Sequence, residues 1–185
     1  MKTETTPLAG NAEKIRRRFT PENFVVTDWN SLQPFYASLV ERSIDSLPDL
    51  KMWLEDQSEL EALVEEHAGW LYIRMTCDTQ NKSLSDAYAF FVEQVNPQIE
   101  PYSDNLNKKL VALPILSQLD SRFDLYIRQV QNEIKLFREE NIPLEAELTV
   151  TEQQYGEIAG AMTVGVNGKV LTLQQASKRL TAPDR

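Results

Sequence analysis

The chain has 185 residues, 42% of them hydrophobic and 25% charged, with 19 basic against 28 acidic side chains and a net charge of -9 at pH 7. A chain of this length and composition can bury a core without covalent staples, and its acidity argues against a nucleic-acid footprint. One cysteine excludes an internal disulfide framework, and one histidine excludes a zinc site built on paired imidazoles.

From its amino end, Met1 to Ile15 is polar and carries no apolar stretch of the secretory type. No run approaches the ~20 apolar residues of a membrane helix. With the lone Cys77, these features are read as a cytoplasmic chain. Asn81-Lys82-Ser83 matches a glycosylation sequon, read here as chance. The expected organisation is a flexible polar arm over 1–20, a helical domain over 21–160, and a β-hairpin with a short helix over 161–185.

Glycine is scarce until late: after Gly10 and Gly69 come Gly156, Gly160, Gly165 and Gly168. The intervening sequence lacks the residue that most often ends helices, and its apolar residues repeat at helical spacing. Leu60, Leu63, Val64, Leu71, Tyr72 and Met75 form one stripe; Leu84, Ala87, Tyr88, Phe91 and Val95 a second; Phe123, Tyr126, Ile127, Val130, Ile134 and Phe137 a third. Helices are predicted at about 31–45, 48–57, 58–77, 84–112, 121–140 and 143–159. Ser46, Ser58 and Ser83 each open a pattern resembling a capping box. Pro97 and Pro101 should kink the fourth helix or split it near Asn96.

In the tail the period changes. Ala161–Val166 and Lys169–Thr172 flank Asn167-Gly168, a strong hairpin signal because both residues tolerate positive φ. Leu173 to Leu180 reads as helical again, and Thr181-Ala182-Pro183-Asp184 has capping-box spacing near the last residue. That last pattern is open between a chain that continues and a frayed polar terminus. The fold class is mainly α: a helical array of about six or seven helices with one small C-terminal β-hairpin.

Several residues invite functional readings. His67 beside Glu65 and Glu66 is read as a surface or packing histidine rather than an oriented ligand. Cys77 lies ten residues further along the same predicted helix, about 15 Å away, and is read as an inert packing residue. Glu55, Asp56, Glu59, Glu61, Glu65 and Glu66 are read as a solvated helix face, with a weak interaction surface as the other reading. Lys14, Arg16, Arg17 and Arg18 are expected to contact the protein's own acidic helices. Trp29, Trp53 and Trp70 are expected to anchor the core. Gly165-Val166-Asn167-Gly168 lacks a Walker ending and is read as a turn, not a phosphate loop.

Longer blocks carry a resemblance. They include Arg16-Arg17-Arg18-Phe19 leading to Thr27-Asp28-Trp29, Arg42-Ser43-Ile44, Asp56 to Ala62, and Gly69 to Met75. Phe137 to Leu144, Glu157 to Val164, Asn167-Gly168-Lys169 and Leu171 to Ala176 continue it. In these blocks the sequence resembles the N-terminal region of oligoendopeptidase F-type zinc metallopeptidases, relatives of thimet oligopeptidase. The resemblance implies a parent enzyme that hydrolyses short peptides in a narrow channel, with this helical lobe as one wall. In that family an H-E-x-x-H helix and a later glutamate hold zinc, and the motif's own glutamate activates the bound water. His67 is followed by Ala68-Gly69-Trp70-Leu71, so the motif is absent here. No catalytic, cofactor-binding or metal-binding residue is therefore assigned to this chain, and alone it is expected not to hydrolyse peptides. Zinc would belong to a downstream catalytic region of the same polypeptide, the expected partner, with short peptides bound by the intact enzyme. Nucleic acid and membrane are not expected partners, and pairing into a homodimer through exposed surfaces is a further expectation. The alternative function is a free-standing helical interaction module without a peptidase partner region.

Overall fold

A computed structural model describes residues 17–180. Helix α1 runs Trp29–Glu41, α2 Leu47–Cys77, α3 Lys82–Phe90, α4 Asn96–Ala112, α5 Asp124–Leu136, α6 Ile142–Ala161 and α7 Leu173–Ser177; strands β1 and β2 are Thr163–Val166 and Lys169–Thr172. The mainly α class and the terminal hairpin agree with the sequence reading. No helix among the described residues is long and apolar enough to cross a membrane.

Local chemistry sets most boundaries. Asp28 caps α1: its carboxylate accepts from the Ser31 amide while the Ser31 hydroxyl serves the cap backbone. Leu32, Tyr36 and Leu39 then recur on the buried face. At the other end Lys109 of α4 donates to the carbonyls of Leu39, Val40 and Arg42 at 2.9, 2.7 and 2.6 Å. A cation there satisfies acceptors that no helical amide reaches and complements the helix dipole.

Ser46 caps α2 through the Asp49 amide, with Pro48 in the first turn. The helix expected to restart at Ser58 does not restart. Leu50, Trp53, Gln57, Leu60 and Val64 keep one buried phase through that point, and no Gly or Pro interrupts them. The result is one 31-residue helix, about 46 Å long. Its first half holds the core. Trp53 is fully buried and donates its indole N–H to the Leu39 carbonyl at 2.9 Å.

α3 starts earlier than expected, because the Asn81 side chain, not Ser83, caps it by accepting from the Ser83 amide. Between α3 and α4 lies a π-helical turn, Phe91–Val95, in which the Asn96 amide donates to the Phe91 carbonyl. The expected break near Asn96 is thus this wider turn. Pro97 has no N–H to continue the regular ladder, and the turn buries Phe91, Val92 and Val95 together. Pro101 sits inside α4.

The helix expected over 121–140 is shorter. Tight 3₁₀ turns occupy Pro114–Gln118 and Ser121–Phe123, α5 spans only Asp124–Leu136, and another 3₁₀ turn at Glu139–Asn141 leads into α6. Asp120 caps the middle turn by accepting from the Arg122 amide. Similarly, α1 ends at Glu41 rather than near 45, and α7 at Ser177 rather than 180.

β1 and β2 pair antiparallel, Thr163 opposite Thr172 and Val166 opposite Lys169. Asn167 at φ 51° and Gly168 at φ 75° make the tight turn. Thr172 and Gln175 then form a reciprocal capping box for α7, which folds back on both strands.

α4 is the hub, packing on α1, α5, α6 and the π turn. Leu32, Leu39, Leu50, Trp53 and Leu110 are fully enclosed around it. Phe19, expected within the polar arm, packs against this core and lies edge-on to Phe35 at 5.6 Å.

Candidate docking interface

Glu59 of α2 accepts the backbone amides of Arg18 at 2.7 Å, Phe19 at 3.1 Å and Thr20 at 2.7 Å, and the Thr20 hydroxyl at 2.8 Å. Burial pulls this carboxyl up, but the three amides and the hydroxyl outweigh it, so it sits below its ordinary range. One turn earlier, Asp56 is buried and takes Arg18 at 2.8 Å and Arg42 at 2.6 Å. Arg18 also reaches Glu55 at 3.1 Å, and Arg17 reaches Glu66 at 3.6 Å. The expectation that basic residues contact the protein's own acidic helix therefore holds for Arg17 and Arg18. Lys14 and Arg16 lie outside the described residues, as does the pattern at Thr181–Asp184.

The acidic run is a solvated face only at Glu55, Glu65 and Glu66; Asp56, Glu59 and Glu61 are wholly or partly buried. Asp56 and Glu59 are ligands for the segment that enters α1, and burial together with Glu65 and Glu133 raises the Glu61 carboxyl. Sequence spacing shows the carboxylates but not their partners, which lie 14 residues away for Arg42 and 38 to 41 for Arg18, Phe19 and Thr20.

The other candidates separate. His67 is half-buried with its ring 5.6 Å from Phe91, and burial, with the Arg74 charge, lowers its pKa. Cys77, expected to pack, is exposed at the last turn of α2. Trp53 anchors the core and Trp29 packs against Tyr36 and Tyr102, but Trp70 is 52% exposed and anchors nothing. The reason is that beyond Val64 the helix buries only Met75 fully, with Ala68 and Leu71 partly covered, and Trp70 falls on the uncovered side. Gly165–Gly168 forms the hairpin turn and strand end, as expected.

Zinc, which the resemblance places in a catalytic region, does not fit these residues. The single imidazole rests on Phe91, and Glu66 is engaged by Arg17. Among the described residues, no three His, Cys, Asp or Glu side chains converge as metal ligands would.

The feature that sequence reading missed is the outer face of α6. Leu144, Leu148, Tyr155, Ile158 and Met162 are 60%, 58%, 74%, 65% and 51% exposed. Their spacing places all five on one side of a helix turning about every 3.6 residues. The inner side carries Ile142, Ala146 and Thr149, with Gln153 and Glu157 bonded to Ser85 of α3. Val170 of β2 adds a further apolar side chain, 73% exposed. The same positions read off the sequence give an apolar stripe; only packing shows that nothing described covers it. Several large apolar side chains exposed on one helix face, here interrupted only by Thr151, mark an interaction site.

Neither a curated protein nor a solved structure matches the chain. Residues 19–137 match the family model described as Peptidase M3 N-terminal domain, from the Phe19 segment through α5. α6 and the hairpin lie beyond the matched residues. Because the match covers well over half of the sequence, the chain belongs to the Peptidase M3 N-terminal domain family.

Proposed function

We propose that this chain is the non-catalytic N-terminal lobe of an oligoendopeptidase F-like zinc metallopeptidase that hydrolyses short peptides. It forms one wall of the substrate channel and docks its catalytic region on the outer face of α6. Zinc and the water-activating glutamate belong to that region. The single observation carrying the docking role is the uncovered stripe from Leu144 to Met162.

Magnitudes favour an occupant from the same polypeptide. Burying the exposed part of these five side chains, together equivalent to about three whole ones, contributes roughly 5–9 kcal/mol gross. Association of two free bodies costs about 4–15 kcal/mol in lost freedom. A stripe of this size is therefore marginal between separate molecules but sufficient when a tether supplies a millimolar effective concentration.

The test is binding between the chain and a separately prepared catalytic region, with and without Leu148→Glu and Ile158→Glu. Both side chains are exposed, so the fold should tolerate the change. Loss of binding with unchanged circular dichroism is the expected result. Equal binding by the variant removes the docking role. A homodimer that the substitutions dissociate, without any affinity for the catalytic region, would show instead that a second copy covers the stripe.

A further inference from the structure

The middle of α4, the end of α5 and the first turn of α6 line an open cavity of about 290 Å³. Four carboxylates line it: Glu100 and Asp104 of α4, Glu133 of α5 and Glu145 of α6. They come from three helices, so their convergence is a product of the fold rather than of one charged stretch.

Their partners are mostly neutral. Glu133 is held by the amide groups of Asn107 at 3.1 Å and Gln129 at 3.0 Å. Glu100 has the Asn96 amide at 3.3 Å, and burial followed by the Glu145 charge raises its pKa. Asp104 is only 6% exposed; its Oδ2 takes Lys108 at 2.5 Å, while its equally buried Oδ1 has no hydrogen-bond partner. A buried, unpartnered carboxylate oxygen is costly and calls for a donor. Arg138 also lines the cavity but does not supply one: its guanidinium donates to the carbonyls of Lys135 and Phe137, and no ion pair joins it to the four carboxylates.

The amino end of α6 borders the same cavity and would by itself favour an anion. Glu139 and Glu140 in the preceding turn and Glu145 in the first turn already offset that dipole. The carboxylates do not converge as ligands of one metal ion. Their spread suits a cation with several separated donors; the Phe137 ring on the wall already carries the Lys108 ammonium 5.9 Å from its centroid.

We propose that the α4–α5–α6 cavity binds an organic cation, an alkylammonium or guanidinium group, between Glu100, Asp104, Glu133 and Glu145. Titration of the whole ¹⁵N-labelled chain, followed by amide NMR, tests this with three probes. N-acetyl-arginine amide carries the guanidinium, tetra-alanine amide carries a free terminal ammonium, and N-acetyl-tetra-alanine amide carries neither. Saturable shifts at Asp104, Asn107 and Glu133 with a cationic probe, and none with the neutral one, are expected; whichever cation binds tighter identifies the source. The double variant Glu100→Gln/Glu145→Gln should weaken binding at least about tenfold. Ser103→Arg, which adds a second guanidinium beside Arg138 on the cavity wall, one not committed to backbone carbonyls, should compete it away in a chain that retains all four carboxylates. No saturable shift with either cation, an equal response to the neutral peptide, or full affinity in Ser103→Arg would overturn the proposal.

Discussion

Removing the Glu59 carboxylate tests how the entering segment is held. In Glu59→Ala the amides of Arg18, Phe19 and Thr20 and the Thr20 hydroxyl lose their shared acceptor. If the segment stays in place, water can serve the exposed Arg18 amide, but the part-buried Phe19 and Thr20 groups are stranded at about 1–3 kcal/mol each. If the segment detaches, the chain forfeits the contact of Phe19 with Phe35, roughly 1.5–3 kcal/mol. It also loses the Arg18 pair with Asp56. Detachment regains backbone entropy of about 1–2 kcal/mol per freed residue. Stranding the Phe19 and Thr20 amides alone costs about 2–6 kcal/mol, and the option of detachment holds the net loss to the low end of that range, about 2 kcal/mol, which for a domain of this size lowers the melting temperature by roughly 4–8 °C. Because the folded Glu59 carboxyl titrates below its ordinary range, its contribution is present above the unfolded carboxyl pKa and fades as pH falls through the folded one. Thermal melts of wild type and variant should therefore converge in acid, and hydrogen exchange should speed at residues 18–20 before the helices respond. A melting shift under about 2 °C at pH 7, or a shift that acid leaves unchanged, would refute the reasoning.

Further outcomes follow from single contacts. Lys109→Met leaves the carbonyls of Leu39, Val40 and Arg42 without their ammonium, and urea unfolding should show a loss of about 1–3 kcal/mol. Glu61→Gln keeps the oxygen that accepts from Gln57 and removes repulsion from Glu65 one turn on, so the variant should gain about 0.5 kcal/mol at pH 7. The folded Glu61 pKa is raised, so the gain should vanish below the unfolded carboxyl pKa; a gain that persists there contradicts the assignment. Trp70→Phe should remove most acrylamide-quenchable fluorescence, whereas Trp53→Phe should leave it and lower stability instead. Gly168→Ala, at φ 75°, should cost the hairpin about 1–2 kcal/mol, read as faster exchange in β1 and β2 with the helical melt unchanged.

Legibility followed the range of the interactions. The hairpin turn was readable because Asn167-Gly168 carries its own conformational preference. Ser46 was readable as a cap because its partner Asp49 is three residues away. Ser58 misled for the same reason: the local pattern is present, but the core phase from Leu50 to Val64 runs through it. The Asp56 and Glu59 clamps, Lys109 at the end of α1, and the carboxylates around Asp104 were hidden because their partners are remote in sequence. Trp70 and Cys77 were misplaced because periodicity gives a helix face without showing where the bundle ends.

In the proposed role this lobe does no chemistry itself and serves a catalytic region docked on α6. Hydrolysis of a short fluorogenic peptide, measured for the purified chain, for the catalytic region, and for the two mixed, tests it most directly. The account predicts no turnover by the chain alone, a gain over the catalytic region on mixing, and loss of that gain with Leu148→Glu and Ile158→Glu. Chelator-sensitive turnover by the repurified chain alone, or a mixture no more active than the catalytic region, would contradict it.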